Sequence, residues 1–309
     1  MMTTKKLLLL TTFTILISAM TVSAQGIVDG FFDKQGDLKI TTSYTRTSFD
    51  ELYVGEDKVG PVPVHNQINQ NIYSLYSTYG VTDRLTVIAK VPYISAEGEG
   101  GPDPVNGQTE QKDFQDISLY GKYKLNSSSF SGGKVDFLTA LGFNIPTGYE
   151  PNGLLSLGSG AFTTDLHLGA QLNIDGGFFT SFVGGYSFRG EANNEFGNGD
   201  GSDFDVPNAF LATGKVGFSS AKIYVEAWVD YQQSSDGIDI GSEGFGGRFP
   251  LTEVNYTRLG SSVYVPVTSL IGVSAGYGTV VDGRNLGDSN FYNVGVTFKI
   301  NTFPTNTEQ

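Results

Sequence analysis

The chain has no cysteine, which excludes a disulfide scaffold and also an N-terminal lipid anchor, since both need a thiol. It has only two histidines, His65 and His167, one tryptophan and three methionines. So few histidines leave little material for general-base catalysis or for metal binding. Charged residues make up 17% of the chain, and 19 Lys+Arg stand against 32 Asp+Glu for a net charge of -13. A polymer of phosphates would be repelled by that balance, so no nucleic-acid partner is expected. Beyond residue 24 no apolar run approaches the roughly 20 residues that a membrane-spanning helix needs. Mean hydropathy is -0.12, and a helical membrane protein is excluded.

What the chain does have is 41 Gly, 22 Phe and 16 Tyr, the composition of a β-rich protein with many turns. Its first residues read as a secretory leader: Lys5 and Lys6, an apolar run from Leu7 to Met20, and Val22-Ser23-Ala24 before Gln25. Residues 1–24 are therefore expected to be a cleaved signal peptide, 25–37 a periplasmic segment, 38–300 the folded body and 301–309 a tail. No linker or shift in composition divides the body.

Strict alternation runs through that body. Between Phe162 and Ile174, Phe162, Leu166, Leu168, Leu172 and Ile174 share one face, and Asp165, His167, Gln171 and Asn173 the other. Ile223, Val225, Val229 and Tyr231 alternate with Glu226, Trp228 and Asp230, and Tyr292, Val294, Val296, Phe298 and Ile300 with Asn293, Thr297 and Lys299. A period of two gives each strand one dry and one wet face. The strands are long for a soluble sheet and suit the roughly 9 to 11 tilted residues that cross a bilayer. They are expected near 38–49, 70–79, 84–95, 114–125, 134–147, 161–174, 177–189, 207–218, 222–233, 253–267, 271–281 and 291–300. Short turns alternate with long connections at 50–69, 96–113, 148–160, 190–206, 234–252 and 282–290, which places all turns at one end and all long loops at the other. The fold class is thus all-β: an antiparallel up-and-down transmembrane β-barrel of about twelve strands, with periplasmic turns and outer loops. Tyr79, Tyr93, Phe143, Phe178, Tyr186, Phe188, Phe218, Tyr231 and Tyr292 near strand ends fit interfacial girdles.

If the apolar faces meet lipid, the opposite faces line the lumen. The candidates there are Arg84, Lys90, Asp116, Tyr120, Lys122, Asp165, His167, Glu226, Trp228, Asp230, Arg258 and Lys299. Both signs are present and no ring of one sign is visible, so these groups serve either permeation or internal bracing. On this reading Val225→Arg is costly and Glu226→Gln mild. Twelve strands should enclose a narrow lumen, and the stretch between Gln25 and Gly36 looks too short for a plug. No nucleophile motif accompanies either histidine, so no catalytic residue, metal site or cofactor is expected. Asn198 to Asp205 (NGDGSDFD) has calcium-like composition without complete calcium-loop spacing. The competing readings are an adhesive or structural barrel acting through its outer loops and, further off, a lipid-modifying barrel enzyme.

Several stretches, YGVTDRLTVIAKVPYI at Tyr79 to Ile94, FQDISLYGKYKL at Phe114 to Leu125, NIPTGYEPNG at Asn144 to Gly153 and LGSGAFTTDLHLGA at Leu157 to Ala170, resemble the outer-membrane barrel family named for the meta-cleavage pathway of phenol degradation. FYNVGVTFKI near the end agrees with it too. The resemblance implies a transporter-like barrel of the outer membrane, associated with uptake of small aromatic or hydrophobic compounds. Its partners would be a small-molecule solute, outer-membrane lipids with lipopolysaccharide, and the barrel-assembly machinery. The chain departs from many outer-membrane barrels in ending beyond its last aromatic strand residue.

Overall fold

Alternating sequence becomes a closed wall in the computed structural model, which describes residues 27–193 and 201–302. Twelve long strands form it: β1 (Asp37–Phe49), β2 (Ile68–Thr82), β3 (Leu85–Gly98), β4 (Ile117–Phe130), β5 (Gly133–Ile145) and β6 (Thr163–Ile174), then β7 (Phe178–Arg189), β8 (Ala209–Ser219), β9 (Tyr224–Ser234), β10 (Asn255–Pro266), β11 (Ile271–Arg284) and β12 (Asn290–Asn301). Each pairs antiparallel with its sequence neighbours, and β12 closes on β1 from Asp37↔Asn301 to Ser48↔Asn290. Closure satisfies every strand edge, the condition for a sheet to stand in lipid. Among the described residues no helix is long and apolar enough to cross a membrane.

The expected barrel, its strand count and its alternation of turns and loops are all present. The largest boundary difference is in β4, which runs on to Phe130 through Ser127, Ser128 and Ser129. That serine run, read from sequence as a turn, pairs with Asp136, Val135 and Lys134 of β5 beyond a register shift between Lys124 and Asn126. The turn itself is only Ser131-Gly132, with Gly132 at φ 96°, a conformation tight hairpins require and glycine adopts without strain.

The outer surface is apolar. Leu168, Phe178, Phe182 and Val216 are among the most exposed large side chains, at 58 to 65%, and they face the lipid. Aromatic pairs gather near strand ends: Phe178 with Phe218 toward the turns, and Phe143 with Phe162 and Tyr186 with Phe188 and Phe210 toward the loops. Rings at the water interface suit the mixed polarity there.

The loop end is closed over by its own connections. Leu52 and Val62 from the first loop and Tyr149, Leu155 and Leu157 from the third pack on Ile68, Ile94 and Ala96 at the strand tops. Short ribbons Leu52–Val54 with Asp57–Val59, and Glu191–Asn193 with Asp203–Asp205, stiffen two of these loops. Glu110–Phe114 extends the wall beside β3, above the point where β4 begins. Arg284, at the end of β11, ties two loops together through Glu56, Asp239 and Glu253, at 3.1, 2.8 and 3.1 Å. The leader expected at 1–24, the tail from 303 and part of the calcium-like stretch lie outside the described residues.

The first described residues correct one expectation. Instead of staying in the periplasm, Ile27 to Gln35 climbs into the barrel. Thr302 N–H donates to the Gly36 carbonyl, whose own N–H bonds to Gly80, and from there the chain turns inward. Val28 buries itself among Ile88, Tyr120, Leu138, Ala140 and Val183. Nine residues suffice because the segment needs no secondary structure of its own, only wall partners.

Candidate functional site: the barrel lumen

The wet faces of the strands meet inside the barrel, where polar groups cut off from water must find one another. They form separate clusters. Lys122 of β4, almost fully buried, reaches across to Asp29 of the inward segment at 2.6 Å and also donates to the Phe31 carbonyl. Burial pushes the Asp29 carboxyl up, but the Lys122 and Lys215 ammonium groups and the hydrogen bonds from Lys122 and the Phe31 N–H outweigh it and hold Asp29 below the usual carboxylate range. Phe31 is wedged edge-on against Phe179 and Tyr224, with centroids at 5.0 and 5.6 Å. Gly30 lies so close to Gln171 that a Cβ there would overlap it. Asp33 binds Lys39, and its N–H donates to the Thr86 hydroxyl.

Elsewhere Glu226 faces Lys215 at 3.3 Å and accepts hydrogen bonds from the Tyr224 and Ser262 hydroxyls. Both charges of that pair are almost fully buried, so the expectation that Glu226→Gln is mild gives way: Lys215 would lose its buried counter-ion. Asp165 accepts from Tyr120 and from Asn144. Asp230 accepts from Thr213 at 2.7 Å and from Arg258 at 3.2 Å. At the loop end Asp116 accepts from Tyr149, whose oxygen in turn accepts the Gly160 N–H. Burial raises the Asp116 carboxyl above its ordinary range against that hydrogen bond, and raises the Tyr149 phenol too.

Of the sequence candidates, Lys90, Tyr120, Lys122, Asp165, His167, Glu226, Trp228, Asp230, Arg258 and Lys299 lie on the inward face of their strands. Arg84 does not. It is exposed in the Asp83-Arg84 turn, because Thr82 Oγ1 accepts the Arg84 and Leu85 N–H groups and ends the strand pair early. Asp116 precedes β4 and belongs to the mouth. His167 tilts against Tyr120 with centroids 6.1 Å apart; among the described residues no hydrogen bond joins its imidazole to Asp165 or to a hydroxyl, the Thr139 hydroxyl donating instead to its carbonyl.

Between the inward segment and the opposite wall remains a cavity of about 670 Å³, the size of pockets that hold small organic molecules. Sequence reasoning missed most of its lining. β1 contributes Lys39, Thr41, Ser43, Thr45 and Thr47; β2 contributes Gln70, Ile72, Ser74, Tyr76 and Thr78; Ser274, Phe291, Asn293 and Thr297 complete that side. These small hydroxyls alternate with Leu38, Ile40 and Tyr44 on the outer face, a pattern available in the sequence but quieter than one carrying charges. The cavity runs from Lys39 and Lys299 near the turns to Thr47, Gln70 and Ser289 near the loops.

A closed, aromatic-rimmed barrel with tight turns at one end and a solute-sized interior defines the outer-membrane β-barrel class. The chain belongs to the family described as "Putative MetA-pathway of phenol degradation", whose model matches residues 49–294. It is similar in fold to the COG4313 outer membrane channel from Pseudomonas putida F1, at 15% identity and a TM-score of 0.72, over 90% of this chain and 100% of that one. More distant likenesses are the NanC porin, at 11% identity and a TM-score of 0.48 over 85% of this chain and 100% of that one, and the translocator domain of the autotransporter NalP from Neisseria meningitidis, at 13% and 0.45 over 87% and 90%. No curated protein matches the chain in sequence.

Proposed function

We propose that the protein is an outer-membrane channel that admits small, partly apolar solutes, aromatic compounds among them. The observation that carries this is the cavity, which follows the β1, β2 and β12 wall for most of the strand length inside a closed barrel. Its walls mix hydroxyls with the rings of Tyr76, Phe291 and Tyr264, a surface that neither binds water tightly nor rejects a ring. Family membership and the likeness to an outer membrane channel support the same reading. The inward segment narrows the passage rather than filling it, so transport would be slow and size-limited. Export through a cleaved leader and insertion by the barrel-assembly machinery among lipopolysaccharide belong to this proposal. The refolded mature chain in planar bilayers should give small ionic steps, and liposomes containing it should take up phenol-sized solutes faster than sugars. A folded barrel with neither property would return the function to the outer loops.

A further inference from the structure

We infer that the lumen holds an anion-binding subsite, and that the preferred solute is an aromatic or otherwise apolar molecule bearing one negative charge. The chain as a whole is strongly acidic, at -13, yet its cavity is not. Among the described residues the only carboxylates lining it are Asp29 and Asp33, and each is engaged by its own lysine, Lys122 and Lys39. Lys90 and Arg258 also face the cavity and repel one another across it. Among the described residues Lys90 has no hydrogen bond or ion pair at its ammonium group. Arg258 gives its Nη2 to Asp230 and to the Tyr256 hydroxyl, its Nε is enclosed without a partner, and among the described residues its Nη1 makes no hydrogen bond. Two like charges facing one cavity, one unpaired and one with a donor to spare, are costly unless a shared anion visits them.

The apolar half of the ligand follows from what adjoins them. The Arg258 guanidinium lies 5.9 Å from the centre of the Phe291 ring, which stacks on Trp228 at 6.0 Å, and Tyr76 sits directly opposite Lys90 in the β2–β3 register. A carboxylate or phenolate held between Lys90 and Arg258 would place its ring against Phe291. The inference deepens the channel reading and rests on it for its biology. Its test is equilibrium binding, so the two can fail separately.

Trp228 is the only tryptophan, so its fluorescence reports this site in the detergent-solubilised full mature chain. Titration at constant ionic strength with sodium benzoate should quench it saturably. Benzyl alcohol and benzylammonium should bind at least about tenfold more weakly, as expected when a charge-assisted hydrogen bond is lost or reversed. Lys90→Gln should weaken benzoate by about tenfold and leave benzyl alcohol unchanged, with Lys90→Arg restoring it; heat-modifiable gel mobility verifies that each variant is folded. Benzoate and benzyl alcohol binding alike, unaltered benzoate affinity in Lys90→Gln, or no saturable response to benzoate would each overturn the proposal. If chloride alone competes fully at equal concentration, the site is an inorganic-anion site and the aromatic half of the inference falls. Permeation of neutral aromatics without benzoate binding would refute the subsite and leave the channel standing.

Discussion

The Asp29 carboxylate and the Lys122 ammonium meet 2.6 Å apart inside the barrel, joining the inward segment to β4 across 93 positions of sequence. Lys122 is the more deeply buried partner, and among the described residues it pairs with no other acid. Replacing Asp29 with Asn should therefore unseat the segment more completely than the loss of one surface ion pair would suggest, because a buried lysine left alone costs about 3 to 5 kcal/mol. Single-channel conductance should rise in Asp29→Asn and rise further when residues 27–34 are deleted. Equal conductance in all three proteins would show that the segment does not limit flow.

Acid should act on the same contact, with a definite sign. The Asp29 carboxyl is held below its ordinary value in the seated state, so its stabilisation is fully present above the unseated carboxyl range, near pH 4, and is lost as pH falls through the depressed value. Conductance should be flat from neutral pH down to about pH 4 and increase below it. The Asp29→Asn variant should lack that acid limb.

Depth in the membrane should govern the cost of charge on the outer face. Leu168 lies mid-strand in β6 and is 65% exposed, whereas Val225 is the second residue of β9, beside a turn. Leu168→Arg should destabilise by about 2 to 4 kcal/mol in urea unfolding from liposomes, whereas Val225→Arg, expected from sequence to be costly, should cost about 1 kcal/mol or less because the residue sits at the strand end. The reverse order would invert the assigned membrane boundaries.

Arg284 should control the loop cap. It holds Glu56, Asp239 and Glu253 from two different loops, and removing it leaves three carboxylates to repel one another. Arg284→Ala should loosen the cap by of order 2 kcal/mol, seen as faster proteolysis within 235–254 while the strands stay protected. Unaltered cleavage would mean that the apolar packing of Leu52, Tyr149 and Leu155 is sufficient.

The barrel was legible in the sequence because lipid imposes a rule that every strand obeys: Leu166, Leu168 and Val229 must point outward and Asp165, Glu226 and Trp228 inward, and period two records the difference. Boundaries failed only where two signals competed, as in Ser127 to Ser129, whose turn-like residues are held straight by β5. The lumen was read less completely. Its charged residues stood out, but which acid serves which base depends on contacts across the barrel, such as Glu226 with Lys215, that no local pattern encodes. Ile27 to Phe32 was the larger omission. Two apolar pairs around Asp29 are too few for any periodicity, and their meaning lies wholly in the wall they meet.

Gly36 accepts the Thr302 N–H at the seam where the last strand meets the first, and it is also the point from which the chain departs inward. The hinge of the obstruction and the weld of the cylinder are thus one residue. A disturbance at the β1–β12 seam is therefore placed to reach the segment that narrows the lumen, while the other anchors of that segment, Gly80, Asp83 and Thr86, lie on β2, β3 and the turn between them.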